Sequence, residues 1–185
     1  MKNLIILLAT FISLTALAQR TAFIDTDYIL GQVKEYTDAQ IEIDNLSEKW
    51  RKEIEEKYKI IADKRAELQQ DLLLLTPADK EKRENEIKAI ENKAMELQTK
   101  YFGVNGELFA KRKELIEPIT NKLFDAVQKI ASEKKYGFVF DKSNQTNLIF
   151  ADEKFDLSNA VIVELKRMGV DMAKPGDGGD NDERK

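Results

Sequence analysis

Residues 72–81 read LLLLTPADKE, and the turn they encode decides the fold. Pro77 lacks an amide hydrogen, and its ring collides with a preceding helical turn, so an arriving helix stops before it. The same proline suits the first turn of a new helix. Thr76 is placed to cap that helix, and Asp79 and Glu81 favour its positive end. The sequence predicts a tight turn over Thr76–Asp79 joining two antiparallel helices.

The flanks agree. Before the turn, Leu46, Trp50, Ile54, Tyr58, Ile61, Leu68, Leu72 and Leu75 recur at steps of four and three, with Arg65 in the one missing place. After it, Ile87, Ile90, Ala94, Leu97, Tyr101, Val104 and Leu108 alternate steps of three and four. Each series is a narrow apolar stripe on a charged rod, the pattern of a coiled-coil seam. Charge nearly cancels: residues 50–75 carry six positive and six negative groups, residues 76–115 nine and eight. At 1.5 Å per residue, Leu46 to Leu75 predicts an arm of about 45 Å. The returning helix is expected to run on to about Lys134, with a kink or break at Pro118.

Three features do not fit a plain seam. Leu73 and Leu74 face away from it at the arm tip, where they either touch a client or membrane surface or fold over the tip. YFGVNGELF (101–109) places Gly103 and Gly106 in a helical register, each costing about 1 kcal/mol relative to alanine. Either they form a hinge, with Pro118 a second bend, or they allow close packing against Trp50. Phe102 and Phe109 lie seven apart on one face beside the seam. They pack within the arm or present apolar surface to a client.

Around the arm, AFIDTDYIL (22–30) reads as a short strand passing into a helix near Tyr28. Ile119, Leu123, Val127, Ile130 and Ala131 form a wider apolar face, which calls for a sheet. FVFD (138–141) is a strand, KSNQTN a polar turn, and LIFA (148–151) a second strand. A closing helix carries Val161, Ile162, Leu165 and Met168. The fold class is α+β: a small β body, residues 19–45 and 115–172, with a long antiparallel helical hairpin, residues 46–114, inserted between its halves. Residues 173–185, rich in Gly and Asp, are expected to be disordered. Open sheet edges need covering, and pairing with further copies would cover them.

Composition narrows the chemistry. The chain has no cysteine and no histidine, so the thiol nucleophile, the commonest general base and the usual zinc ligands are missing. No catalytic site, metal or cofactor is assigned. Asp25/Asp27 and Asp152/Glu153 read as a solvated strand edge and a turn rather than as metal ligands. Net charge is −4, with no basic domain of the kind that binds nucleic acid. MKNLIILLATFISLTALA (1–18) has one early lysine, an apolar run too short to span a bilayer, and an Ala16-Leu17-Ala18 ending. It reads as a signal peptide cleaved after Ala18.

Beyond these physical readings, KKYGFVFDKSNQTNLIFADEKFDLSNAVIVEL (134–165), preceded by a signal peptide, a strand like AFIDTDYIL and a long charged hairpin, resembles the Skp family. Skp proteins, also called OmpH-like, are periplasmic chaperones for outer-membrane proteins. The resemblance implies a homotrimer with a barrel-like β body and three helical arms around a cavity. It implies an ATP-independent holdase, not an enzyme, whose partners are unfolded outer-membrane β-barrel proteins. One departure stands out. Family members are often basic, whereas here residues 19–49 carry three positive and seven negative groups. No lipopolysaccharide site is therefore carried over, and apolar contact becomes the expected means of client capture. The alternative class is a structural or adaptor coiled-coil protein of the cell envelope, which would bind one folded partner.

Overall fold

The computed structural model describes residues 20–143 and 149–173. The expected signal peptide, residues 144–148 and nearly all of the expected tail lie outside them. The order is β1 (Arg20–Ile24), α1 (Thr26–Leu30), α2 (Lys34–Asp71), α3 (Pro77–Phe102), α4 (Glu107–Glu133), β2 (Tyr136–Asp141), a 3₁₀ turn (Glu153–Phe155) and α5 (Ser158–Arg167). These residues form two compact units. One comprises residues up to Val33 together with Lys122–Met172, and the other Lys34–Asn121. Helix α4 belongs to both.

The body unit is built on a parallel pair. β1 runs alongside β2, with Ala22 opposite Val139 and Phe23 opposite Phe140. Parallel strands need a long crossover, and here the whole helical hairpin lies between them in sequence. Ala22, Phe23 and Ile24 are buried with Ile29, Val33, Leu123, Ala126 and Ile130, and α5 adds Val161, Ile162 and Leu165. Asp25 caps α1 by accepting from the Tyr28 amide at 2.9 Å. Asp152 caps the 3₁₀ turn. Each acidic pair thus contributes a helix cap.

Asp141 closes the open end of the strand pair. Its carboxylate accepts from the Thr26 amide and hydroxyl and from the Ser143 amide and hydroxyl, at 2.7–3.2 Å. Burial alone would raise its pKa, but these donors outweigh burial and hold the carboxyl below its ordinary range. Across α4 and α5, Glu164 accepts from Lys129 at 2.6 Å and from Arg167 at 3.0 Å, and Lys129 is the main reason its pKa is also lowered. A depressed carboxyl contributes stability above its unfolded pKa, about 3.9–4.3, and loses it as pH falls through the folded value. Acidification should therefore loosen this unit below about pH 4. Asp141→Ala should lower its stability by about 2–3 kcal/mol, read as a lower urea midpoint at neutral pH.

The arm unit is the antiparallel pair α2 and α3. Thr76 caps α3 through the Asp79 amide, and Pro77 is its first residue. The turn falls earlier than the sequence predicted: residues 72–75 make it, and Asp79 is already in the first turn of α3. The seam also shifts. On α3 the expected stripe holds through Tyr101, with Ile87, Ala94, Leu97 and Tyr101 buried and Ile90 packed beside them. On α2 the buried residues that face α3 are seven apart, Ile54, Ile61 and Leu68, with Leu75 continuing the series, while Ala39 and Ile43 are buried nearer its start. The alternate places hold half-buried Trp50, Lys57, Lys64 and Asp71. Lys64 pairs with Glu86 and Asp71 with Arg83 across the hairpin. Tyr58 and Leu72 lie off the seam and are exposed, because steps of four run ahead of a 3.5-residue repeat.

Of the kink or break expected at Pro118, the break does not occur: α4 runs through it as one helix. One further expectation is corrected. LIFA does not form a strand over its described residues: 149–151 are irregular, and the sheet has two strands among the described residues. A strand needs a partner, and among the described residues none pairs with 149–151.

Candidate functional site

Three surfaces carry chemistry that the packing does not consume. The first is the arm tip. Leu73 and Leu74 are 97% and 84% exposed, whereas Leu75 packs on the core of the hairpin. The turn does not close over itself.

The second surface surrounds residues 101–109. The return helix is not continuous there: α3 ends at Phe102 and α4 begins at Glu107. Gly103 leaves the helix with an extended ψ of 171°, while its amide still donates to the Thr99 carbonyl at 2.9 Å. A Cβ at Gly103 would lie 2.3 Å from that oxygen, and one at Gly106 2.9 Å from the carbonyls of both Lys100 and Tyr101. Asn105 takes a left-handed φ of 63°, which asparagine tolerates better than most residues. The glycines are thus required by the backbone of their own break. The closest atoms belong to this segment and not to Trp50, as the packing alternative supposed.

An aromatic cluster sits immediately before the break. Tyr101 stacks on Trp50 at 4.7 Å and 6°, and Phe102 meets Trp50 edge-on at 6.4 Å. The Tyr101 hydroxyl donates to Glu53, and burial with that neighbouring carboxylate pushes its pKa up. Beside the cluster is an open groove of about 580 Å³ lined by Arg51, Ile54, Glu55, Tyr58, Gln98 and Phe102. Phe102 and Phe109 do not share a helical face, because the break separates them. Phe102 is half-buried in the cluster, and Phe109, on α4, is 55% exposed. Val104, expected on the seam, lies in the break and is exposed.

The third surface belongs to the body and was missed as a site. Phe138 and Phe140 project on one face of β2, half exposed, their rings 6.4 Å apart. Ile149 and Phe150 are almost fully exposed and line a cavity of about 850 Å³ with Phe23, Tyr28 and Lys142. The signal was present in the alternation of FVF. Among the described residues no group of acidic side chains is arranged to hold a metal, and no helix is long and apolar enough to cross a membrane.

A small α+β unit whose two halves enclose a long helical hairpin in sequence, with apolar groups exposed on both, has the organisation of an arm-bearing binding protein. The chain belongs to the OmpH-like outer membrane protein family, whose model matches residues 20–165. An uncharacterised protein of Aquifex aeolicus (strain VF5) is 29% identical over 146 residues, covering 79% of this chain and 85% of that protein. A crystal structure from Caulobacter crescentus CB15, described as an OmpH-like outer membrane chaperone, superposes with a TM-score of 0.61 at 12% identity. It covers 84% of this chain and 91% of that one. At that identity the likeness establishes the fold.

Proposed function

We propose that this chain is an ATP-independent holdase chaperone of the periplasm that keeps unfolded outer-membrane β-barrel proteins from aggregating. The observation that carries the reading is the family match, which spans both the arm and the body rather than the coiled coil alone. The chaperone description of the structural neighbour agrees with it. Export follows from the apolar leader ending at Ala18, and the role is one of binding, not catalysis.

Clients are held by apolar contact. Phe109, Leu73 and Leu74 supply exposed surface, and Phe102 contributes one wall of the groove beside Tyr58. The working unit is a homotrimer joined through the body, which covers the faces of Phe138 and Phe140 and gives the 149–151 segment a partner. Arms that enclose clients of different size must splay. The break at Gly103 and Gly106 is the hinge, and Pro118, where α4 lacks one backbone donor, is a second point of compliance.

Dilution of a urea-unfolded outer-membrane barrel protein into buffer tests this reading by light scattering. Stoichiometric protein should suppress scattering to the same extent with and without ATP, and Phe109→Ser should weaken retention several-fold. Unchanged aggregation at excess protein, together with tight binding of one folded envelope protein, would instead establish an adaptor.

A further inference from the structure

Asn105-Gly106 is the single Asn-Gly pair in the chain, and the backbone of the break accounts for both members. The Gly106 amide donates to the Gly103 carbonyl at 2.8 Å and closes a turn over residues 103–106. Asn105, third in that turn, has a φ of 63°, a place that falls to Gly or Asn. Gly106 is fixed more tightly, since a Cβ there would lie 2.9 Å from the Lys100 and Tyr101 carbonyls. The fold therefore sets an exposed asparagine directly before a residue with no room for a side chain. The other described asparagines, Asn45, Asn85, Asn92, Asn121 and Asn159, lie within helices and precede residues with side chains.

That pair is reactive. Once the Gly106 nitrogen gives its proton to hydroxide, it can attack the Asn105 Cγ, and with no Cβ on Gly106 the approach is unhindered. The new N–Cγ bond closes a succinimide ring as the Cγ–Nδ2 bond breaks, and Nδ2 leaves as ammonia with a proton from water. Water then adds to one of the two ring carbonyls. Cleavage between Cγ and N gives aspartate. Cleavage between the main-chain carbonyl carbon and N gives isoaspartate, in which the chain runs through Cβ. Water is the only co-reactant, and nothing is oxidised or reduced. In the folded turn the attacking nitrogen is the one whose hydrogen the Gly103 carbonyl holds, so the reaction waits on opening of the turn. Segments between elements, with few packed contacts, open most readily. Val104 beside the pair is 98% exposed, and the turn lies between the end of α3 and the start of α4.

We propose that Asn105 is a modification site, which deamidates spontaneously to isoaspartate and aspartate at a rate set by how often the turn between α3 and α4 opens. This goes beyond the holdase reading and does not rest on it. Either product adds a carboxylate in the segment between Lys100 and Glu107, which pair at 3.4 Å in the unmodified chain. Isoaspartate also lengthens the backbone by a methylene immediately before Gly106, whose carbonyl accepts from the Ala110 amide at the start of α4. The modification therefore weakens the arm at its joint.

Ageing the purified protein in mildly alkaline buffer, with and without urea, tests this by peptide mapping. Isoaspartate should appear at 105, read from the mass gained as NH2 becomes OH and from an elution distinct from that of aspartate. The folded chain should convert about tenfold more slowly than the urea-unfolded chain. Asn105→Gly keeps the left-handed turn and should show no conversion there. The aged wild-type chain should also unfold at lower urea than the fresh one, followed through Trp50 on its stack with Tyr101, whereas aged Asn105→Gly should keep its midpoint. The proposal is overturned if the folded chain gains no product at 105 while the unfolded chain converts fully, or if the two convert at the same rate. Conversion confined to other asparagines overturns it too, as does a modified chain whose urea midpoint is unchanged.

Discussion

In the proposed homotrimer, Phe138→Ser combined with Phe140→Ser is expected to leave a monomer. The two rings stack on one face of β2 with about half of each exposed, and β2 has one strand neighbour among the described residues. A two-stranded sheet is marginal alone. An edge strand carrying two phenylalanines is also a hazard unless it is covered. Removing two half-buried rings from the proposed assembly face forfeits about 3 kcal/mol or more per protomer, or about a hundredfold in dissociation constant. The body core should survive, because its buried residues are Ala22, Phe23, Ile24, Leu123 and Leu165 rather than these rings. Light scattering at micromolar concentration reads the mass directly. A variant that keeps the wild-type mass would place the assembly surface elsewhere.

The same rings show why part of the molecule was legible from sequence and part was not. Helix type, the α+β class and the inserted hairpin follow from local signals: a 3.5-residue apolar repeat, Thr76-Pro77 and short β-rich runs. These signals act within a few residues, and Thr76 and Pro77 do in the structure what their chemistry demands. Register is different. Which of Tyr58 or Lys57 faces the partner helix depends on the pairing of α2 with α3, and both spacings look apolar enough in one dimension. The aliphatic stem of a lysine can occupy a seam place while its ammonium reaches an acid on the other helix, as Lys64 does with Glu86.

LIFA is a strand by composition, yet a strand exists only with a neighbour, and composition does not say where that neighbour comes from. Pro118 allowed a kink or a break, and the helix continues past it, with Thr120 donating its hydroxyl to the Ile116 carbonyl in the turn around it. The break lies instead where two glycines bracket a left-handed asparagine.

Gly103→Ala with Gly106→Ala should lower the stability of the arm by about 2 kcal/mol or more. Two effects oppose each other. Alanine favours helix by about 1 kcal/mol per site, a gain realised only if α3 and α4 fuse into one helix. Fusion would move Lys111 away from Glu42 and Glu107 away from Lys100, pairs made in the present geometry. Without fusion, a methyl at 103 meets the Thr99 carbonyl oxygen at 2.3 Å, and backbone atoms cannot step aside as the end of a flexible side chain can. Either route costs more than propensity returns.

Trp50 is the single tryptophan and stacks on Tyr101 two residues before Gly103, so its fluorescence reports on the break during urea titration. Asn105→Gly is the control, since it keeps the left-handed turn and should change stability by less than about 1 kcal/mol. Retention of large clients then separates the two roles of the break. If the alanine pair loses stability but retains small and large clients as wild type does, the break is a fixed joint required only by its own backbone. Selective loss of large clients, with small ones still held, means that the arm bends there when it works.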